Sequence, residues 1–294
     1  MGIKNLNKLI NETAGVIRKI PLENLRNTKI AVDTPIYIGK SLYSYLPHYF
    51  DSLTDEEVEN YTYIPQEDLE EIYESIINRF MSIFELYSSN TNAKFIMIIE
   101  GKDIPELKHN YEMSRRSDLK QKSYERFRKH IQDGDIEKAR RSLPSFQDLD
   151  ITSMGHMLLD RLDEAGYEYI IADGEAEKYA CKMVKDGVAD FVLSTDTDCL
   201  AMQQSFIKDI DTIKHEYIYV DYDKLLNKLG MTPCQFTDLC IMCGCDYNDN
   251  IPRIGVMKSL KLINQYGSIE NLPNNLNVNH LNYMACRSIF NIDE

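Results

Sequence analysis

Apolar residues follow two different rhythms along the chain. Uninterrupted runs of branched and aromatic side chains occur at Lys29–Asp33 and at residues 94–100, 167–172, 190–194 and 215–220. Runs this short, without regular polar alternation, predict strands covered on both faces. Helical spacing takes over at residues 175–185, which stop at Asp186-Gly187, and at residues 152–165, where Thr152 is placed to cap and Gly166 to terminate. A strand, a helix and a second strand within residues 167–194 make a βαβ unit. The predicted fold class is therefore α/β, with a largely parallel central sheet flanked by helices.

Two regions depart from that alternation. Residues 101–142 are charge-rich and of helical composition through residues 111–138, broken at Gly134. A structureless loop of that length is uncommon inside a domain, so one or two helices projecting from the core are expected. Beyond Asp221, helical patterns recur at Tyr222–Leu229, residues 232–243 and Val256–Tyr266. Thr232 followed by Pro233 suits a cap and first turn, and Gly244 and Gly255 punctuate a helix-loop-helix. The expected organisation is a core over residues 1–225, with an arch-like insertion at 102–146, and an integrated helix-loop-helix subdomain at 226–294. The Asn-rich residues 271–282 read as a surface loop or part of a weak terminal helix.

Composition narrows the class. With 294 residues, 43% hydrophobic and 27% charged, the chain is long enough to bury a core without disulfides. The opening MGIKNLNKLI has no signal-peptide apolar run, and no later stretch approaches 18 consecutive apolar residues, so an intracellular protein without a membrane span is expected. Seven cysteines, an odd number, then favour free thiols. Cys234, Cys240, Cys243 and Cys245 lack two separated C-x2-C pairs, and Cys240 and Cys243 follow an apolar helix pattern, which favours packing over a zinc site.

Charge changes the picture more. The net −14 argues against a simple nucleic-acid coat protein, yet the charge is segregated. Residues 102–141 hold 12 Lys/Arg against 8 Asp/Glu, the first 30 residues hold 6 against 2, and residues 51–74 hold 10 acids and no Lys or Arg. A fold that gathers the basic segments on one face would bind a polyanion.

Acids also follow the apolar runs. Asp33 ends KIAVD, Glu100 ends FIMIIE, and Asp196 and Asp198 follow FVLS. Parallel strands place their carboxyl ends at one edge, where separate acids converge. Glu175 and Glu177 in DGEAE and Asp246 in GCDY bring the set to seven. Taken singly, DGEAE reads as a helix cap and DTD as a polar turn. Together, so many like charges need compensation, which two divalent cations supply. All-oxygen donors favour Mg2+, with Mn2+ as a substitute, over Zn2+.

Read in order, these segments resemble flap endonucleases of the XPG family of structure-specific 5′ nucleases, in the form of a compact viral-type member. The resemblance rests on MGIKNLNKLI, AVD at Asp33, and IIE at Glu100 with the following GKDIPELK and SRRS. It continues through DGEAEKYAC, LSTDTDCL and LCIMCGCDYNDNIPRIG. It implies a helical arch over the metal site and a helix-loop-helix DNA-binding element that grips duplex DNA with help from a monovalent cation such as K+. By motif, Asp33, Glu100, Glu175 and Glu177 resemble ligands of one divalent cation, and Asp196, Asp198 and Asp246 those of a second, with Glu177 between them. Glu100 stands where Asp is usual and adds a methylene.

The same resemblance gives roles to the basic residues. Lys108 is placed to reach the scissile phosphate and Arg116 to stand at the base of the arch, with Arg115 as its competitor because the spacing differs by one residue. Lys120, Lys122, Arg126, Arg128 and Lys129 would line the arch, and Lys138, Arg140 and Arg141 its return. Tyr111, Tyr124 and Phe127 offer either stacking faces or helix packing. Gly2 is expected to approach the site closely, with Lys4 and Lys8 adding positive potential nearby. In the loop from Asp246, Arg253 occupies the first glycine position of the usual Gly-Ile-Gly. Gly255 and Lys258 are further expected DNA contacts, as is Lys261.

The expected activity is incision of flap, gap or branch junctions in DNA by two-metal catalysis, in replication, repair or recombination. A 5′-to-3′ exoribonuclease on a related core and a non-catalytic DNA-end-binding module are the alternatives. The partner is branched or gapped DNA, without a membrane and without an evident sliding-clamp peptide. The sequence leaves the oligomeric state open. The expected location is the nucleus of a cell, or a cytoplasmic replication site if the source is a cytoplasmic DNA virus.

Overall fold

The computed structural model describes residues 2–147, 149 and 154–292. The cap expected at Thr152 lies outside the described residues. Contacts divide the chain into two compact units, one formed by Met1–Thr34, Leu86–Glu112 and Tyr169–Glu294, the other by Pro35–Glu85 and Met113–Glu168.

The first unit carries the sheet. Its strands are β1 (Ile17–Pro21), β2 (Lys29–Asp33), β3 (Lys94–Ile99), β4 (Glu168–Ile171), β5 (Phe191–Leu193), β6 (Phe206–Asp211) and β7 (Glu216–Val220). They lie in the order β1-β7-β6-β5-β2-β3-β4. β2 runs parallel to both β3 and β5, with Ala31 opposite Ile96 on one side and Val192 on the other. β5 and β6 are also parallel, whereas β7 is antiparallel to β6 and to β1. Ile30, Ala31 and Val32 are fully buried, which is why this run carries no polar alternation.

The apolar-run criterion identifies the other strands to within a residue or so at their ends, but it misses β1 and β6. Both lie on the antiparallel side of the sheet, where one face can carry charge. IRKIP has two cations in five residues and ends in proline, which an edge strand tolerates; FIKDID carries three charges.

The helix Ala176–Lys185 packs on β2, β3 and β5 through Ala176, Ala180, Cys181 and Met183. The same apolar cluster continues into the helices Pro233–Cys243, Val256–Tyr266 and Tyr283–Phe290. Thr232 and Gln235 form a reciprocal capping box at the start of Pro233–Cys243, with Pro233 in the first turn. That helix contacts Val256–Tyr266 across the loop between them, giving the expected helix-loop-helix.

The charge-rich insertion is helical from further upstream than its composition predicts. It begins at Glu106–Lys108, passes through a π-turn at His109–Met113 and continues as Ser114–Gln132. It breaks at Gly134, whose φ is +72°, before Ile136–Ser142. A π-turn adds one residue to a helix without ending it, and this one lies between Lys108 and the arginine pair.

The second unit has its own aromatic core. Phe127 is fully buried and meets Tyr61, Tyr124 and Phe146 at centroid distances of 5.4 to 6.3 Å. Phe127 is therefore a packing residue rather than a stacking platform for bases. Arg140 also departs from its expected role on the arch's return. Its guanidinium donates to the carbonyls of Phe50 and Leu53 and to Asp55, so it ties helix ends together within the unit.

A half-buried arginine on a buried carboxylate fixes the C-terminal helix of the first unit. Arg287 donates through Nε and Nη2 to the buried Asp238 carboxylate, both at 2.7 Å, and pairs with Glu270 at 2.5 and 3.0 Å. Asp238 also accepts from the Ile269 amide at 3.0 Å. Removing Arg287 leaves a buried carboxylate without its cation. Arg287→Ala should lower the unfolding free energy by about 3 kcal/mol, read from urea melts followed by circular dichroism. A midpoint unchanged from that of the parent would contradict this assignment.

Candidate metal centre

Parallel alignment of β2, β3 and β5 brings their carboxyl ends to one edge, and the acids lie there. Asp33 is the last residue of β2, Glu100 follows β3, and Ser194, Asp196 and Asp198 follow β5. Glu175 and Glu177 enter from the start of the helix Ala176–Lys185, and Asp246 from the loop after Pro233–Cys243. Asp33, Glu175, Glu177, Asp196, Asp198 and Asp246 are all buried. Oxygens of Glu177, Asp196 and Asp198 lie within 4.8 Å of one another.

A hydrogen-bond chain fixes part of this edge. Ser194 Oγ donates to Asp33 Oδ2 at 2.8 Å, the Asp196 amide donates to Ser194 Oγ at 3.0 Å, and the Asp198 amide donates to Asp196 Oδ1 at 3.0 Å. Asp198 itself is fully buried, and neither of its carboxylate oxygens has a hydrogen-bond partner. Such a group is costly unless something compensates it. The carboxyl pKa values record that cost. Burial first, then the repulsion of Asp196, holds Glu177 and Asp198 well above the usual carboxylate range, with Asp246 and Glu175 also acting on Asp198. Burial and the neighbouring Asp196 and Glu100 push Asp33 up to about 7, against the Ser194 hydrogen bond and Lys108.

One ammonium answers part of this charge. Lys108 Nζ lies 2.5 Å from Glu175 Oε1 and 4.0 Å from both Glu100 and Glu112. Burial alone would lower its pKa, but Glu175, Glu177 and Glu100 outweigh burial and raise it, so Lys108 stays charged. The buried Tyr247 hydroxyl donates to the other Glu175 oxygen at 2.6 Å. Glu100 Oε2 accepts from the Ala176 amide at 3.0 Å, so the additional methylene carries this carboxylate to the start of the helix Ala176–Lys185. These oxygens, with those of Asp198 lacking any hydrogen-bond donor, fit hard divalent cations.

Gly2 closes the site from the N-terminus. Its φ is +82°, and a Cβ there would lie 1.9 Å from Asp196 Oδ1 and 2.7 Å from Thr197 Oγ1. No side chain fits that approach. The Ile3 amide donates to Thr197 Oγ1 at 3.0 Å. Lys4 pairs with Asp249 at 2.6 Å and donates its amide to the Gly244 carbonyl at 2.9 Å, which ties the N-terminal segment to the helix-loop-helix loop.

That loop is held by asparagines. Asn248 is buried and donates to the carbonyls of Ile241 and Leu281, and it accepts from the Cys245 amide. Asn250 Nδ2 donates to the carbonyls of Ile251 at 3.0 Å and Ile254 at 3.1 Å. Arg253 is exposed with φ +65°, the left-handed conformation that glycine adopts at no steric cost. Lys258 donates to the Arg253 carbonyl at 3.0 Å, and Gly255 precedes the first turn of Val256–Tyr266. Lys258 and Lys261 are exposed.

Arg115, Arg116, Lys120, Lys122, Arg126, Arg128 and Lys129 belong to the second unit, on the helix Ser114–Gln132. Arg116, Lys122, Arg126, Arg128 and Lys129 are exposed there, and Arg126 donates to Ser123 Oγ at 2.9 Å. Sequence reasoning missed Ser194, Tyr247 and Glu112. The first two adjoin acidic motifs, at the end of FVLS and after Asp246, and adjacency was their available signal. Glu112 is buried within the charged insertion, where nothing in its spacing marks it.

Comparison with known proteins gives a consistent result. The chain matches the XPG N-terminal domain over residues 1–84 and the XPG I-region over residues 166–246. Asp33 falls in the first stretch and Glu175, Glu177, Asp196, Asp198 and Asp246 in the second, while Glu100 and Lys108 lie between them. It is 31% identical to the probable RAD2-like endonuclease 369L of Invertebrate iridescent virus 6, over 99% of this chain and 79% of that one. It is 28% identical to flap endonuclease 1 of Naegleria gruberi, over 99% and 73%. Among solved structures, the catalytic core of Rad2 in complex with DNA substrate shares the fold with a TM-score of 0.64 at 19% identity, covering 92% of this chain and 70% of that one. Flap endonuclease-1 from Methanococcus jannaschii gives 0.62 at 19%, covering 95% and 84%.

Two measurements probe the site and its neighbouring loop. The raised carboxyl pKa values mean that the folded, cation-free protein holds protons that the unfolded chain has released. Its stability from these groups therefore falls as pH rises from about 4 through the folded pKa of Asp33, about 7. A divalent cation favours the ionised carboxylates. The gain in melting temperature from Mg2+ over EDTA should be several degrees larger at pH 8 than at pH 6, roughly 3–5 °C by scanning fluorimetry. Equal gains at both values would contradict it. Separately, Arg253→Gly relieves a left-handed residue and should stabilise the protein by about 1 kcal/mol in urea melts. A loss of stability would show that the Arg253 side chain contributes more than its backbone costs.

Proposed function

This chain belongs to the XPG family of structure-specific nucleases, which includes the flap endonucleases and Rad2, and we propose that it hydrolyses phosphodiesters at the single-strand/duplex junction of branched DNA, with 5′ flaps as its preferred substrate. The observation that carries this reading is the buried Asp198 carboxylate, without a hydrogen-bond partner beside Glu177 and Asp196. A carboxylate held in that state serves folding poorly and cation binding well. Two divalent cations, Mg2+ or Mn2+, are the proposed occupants. Asp33, Glu100, Glu175 and Glu177 are assigned to one and Asp196, Asp198 and Asp246 to the other, with Glu177 able to serve both. When bound, such ions offset charge on the phosphate oxygens and make water more acidic.

The chain's own residues do the remaining work. Ser194 holds Asp33 in position, and Tyr247 holds Glu175. Gly2 brings the N-terminal backbone directly against Asp196, where any side chain would clash. Lys108 carries its positive charge at the rim of the acids, where an ammonium stabilises charge developing on a transferred phosphate. Of Arg115 and Arg116, Arg116 is the preferred arch arginine, a reading supported by the π-turn at His109–Met113, which would absorb a one-residue difference in spacing from Lys108. Phosphate contacts by Lys120, Lys122, Arg126, Arg128 and Lys129 on the arch and by Arg253 and Lys258 on the helix-loop-helix loop would set the register of single strand and duplex without reading sequence.

The test compares a nicked duplex with a 5′ flap, a blunt duplex, a four-way junction, and matched single-stranded DNA and RNA. Mg2+-dependent incision should be fastest at the flap boundary. Faster decay of unbranched RNA would favour an exoribonuclease, and tight binding without cleavage would favour an end-binding module. Asp198→Asn should abolish cleavage yet raise the melting temperature in EDTA at pH 8, since the amide is neutral there without having to take up a proton. Lys108→Ala should lower the single-turnover rate at saturating flap DNA by about a hundredfold with a smaller change in affinity. Wild-type cleavage by both variants would remove the proposed site.

A further inference from the structure

The resemblance to XPG nucleases brings with it a monovalent cation in the helix-loop-helix loop, and the loop of this chain is built to do without one. A monovalent cation is held in protein by backbone carbonyls that converge and replace its water. Convergent carbonyls need a positive partner because their dipoles oppose one another. Here that partner is a side chain. Asn250 is half-buried, and its amide nitrogen donates at 3.0 and 3.1 Å to the carbonyls of Ile251 and Ile254, which lie on either side of Pro252 and Arg253. A carboxamide has two N–H donors, and both are used. The next carbonyl of the turn, that of Arg253, accepts from Lys258 Nζ at 3.0 Å.

The charge that an ion would bring is also present in covalent form. Arg253 is exposed on the loop in a left-handed conformation, and Lys258 reaches back to it from the first turn of Val256–Tyr266. Lys4 pairs with Asp249 on the other side of the same loop and removes one negative charge from its surroundings. We infer that the Asn250 carboxamide takes the place of the monovalent cation in this duplex-binding loop, so that DNA binding by this protein does not select K+ over other monovalent cations. Asn250 sets the loop's shape, and Arg253 and Lys258 supply the positive charge toward a phosphate.

The inference rests on the nuclease reading for its DNA ligand, and a measurement without DNA separates the two. Affinity for 5′-flap DNA is measured by fluorescence anisotropy in EDTA, in the chlorides of K+, Na+ and N-methylglucammonium at equal ionic strength, with melting temperatures recorded in the same three salts. The wild-type protein should bind equally in all three and melt at one temperature. Asn250→Ala exposes two carbonyls and should bind about tenfold more weakly in N-methylglucammonium, recovering in K+, with a K+-dependent rise in its melting temperature. If that variant does not fold, Asn250→Asp keeps the shape without the donors and should show the same K+ dependence in its melting temperature. Wild-type binding or melting that improves selectively in K+ would overturn the inference, as would an Asn250→Ala protein indistinguishable from wild type in every salt. Failure of wild-type protein to bind flap DNA in any salt would sink the nuclease reading, while the melting series still decides the role of Asn250.

Discussion

Like-charge repulsion in a buried place is the constraint on which the first unit depends. Parallel pairing of β2 with β3 and β5 forces the carboxyl ends of all three to one edge, and each is followed by acid. Asp33 cannot leave that edge without breaking the sheet register, and Asp196 and Asp198 are tied to it through the Ser194 hydrogen-bond chain. Burial strengthens their repulsion by removing the water that would screen it. The fold answers with fixed donors where it can, Ser194 to Asp33 and the Asp198 amide to Asp196, and with the Lys108 ammonium at Glu175. It gives the Asp198 oxygens no hydrogen-bond donor. The energetic deficit of the cation-free molecule is thus localised at the atoms best suited to bind hard cations.

The elements around the acids keep this arrangement from relaxing. Tyr247 is fully buried against Phe290 and holds Glu175, and Phe290 sits on the C-terminal helix that Arg287 anchors to Asp238. The N-terminal segment is pinned at Thr197 and at Gly244, with Gly2 pressed against Asp196. An acid that moved to lessen repulsion would have to disturb one of these contacts. Preorganisation of this kind places the cost of assembling charge in folding rather than in the reaction.

The helix-loop-helix follows the opposite strategy. Its loop carries few buried charges, and its polar backbone groups are satisfied internally by Asn248 and Asn250. The metal edge remains incomplete without added ions, whereas the loop is complete from side chains alone. Their proximity in the chain, Asp246 beside Asn248, makes the contrast sharper.

Much of this was legible before any coordinates. Unbroken apolar runs mark buried parallel strands because such strands need apolar side chains on both faces, and an acid after each run marks the sheet edge because the chain there leaves the core. Thr232-Pro233 announced its helix through local capping chemistry alone. Other features depended on partners distant in sequence. β1 and β6 have mixed polarity that becomes a strand only beside β7, and Phe127 and Arg140, set among arch cations, turn inward to aromatic and carbonyl partners from elsewhere in the chain. Nor does any motif reveal that Asn250 would satisfy two carbonyls or that Asp198 would have no donor. Sequence fixes which groups exist and the periodicity that buries them; tertiary structure decides which are left unsatisfied, because hydrogen-bond satisfaction depends on distances between atoms that the order of residues does not contain.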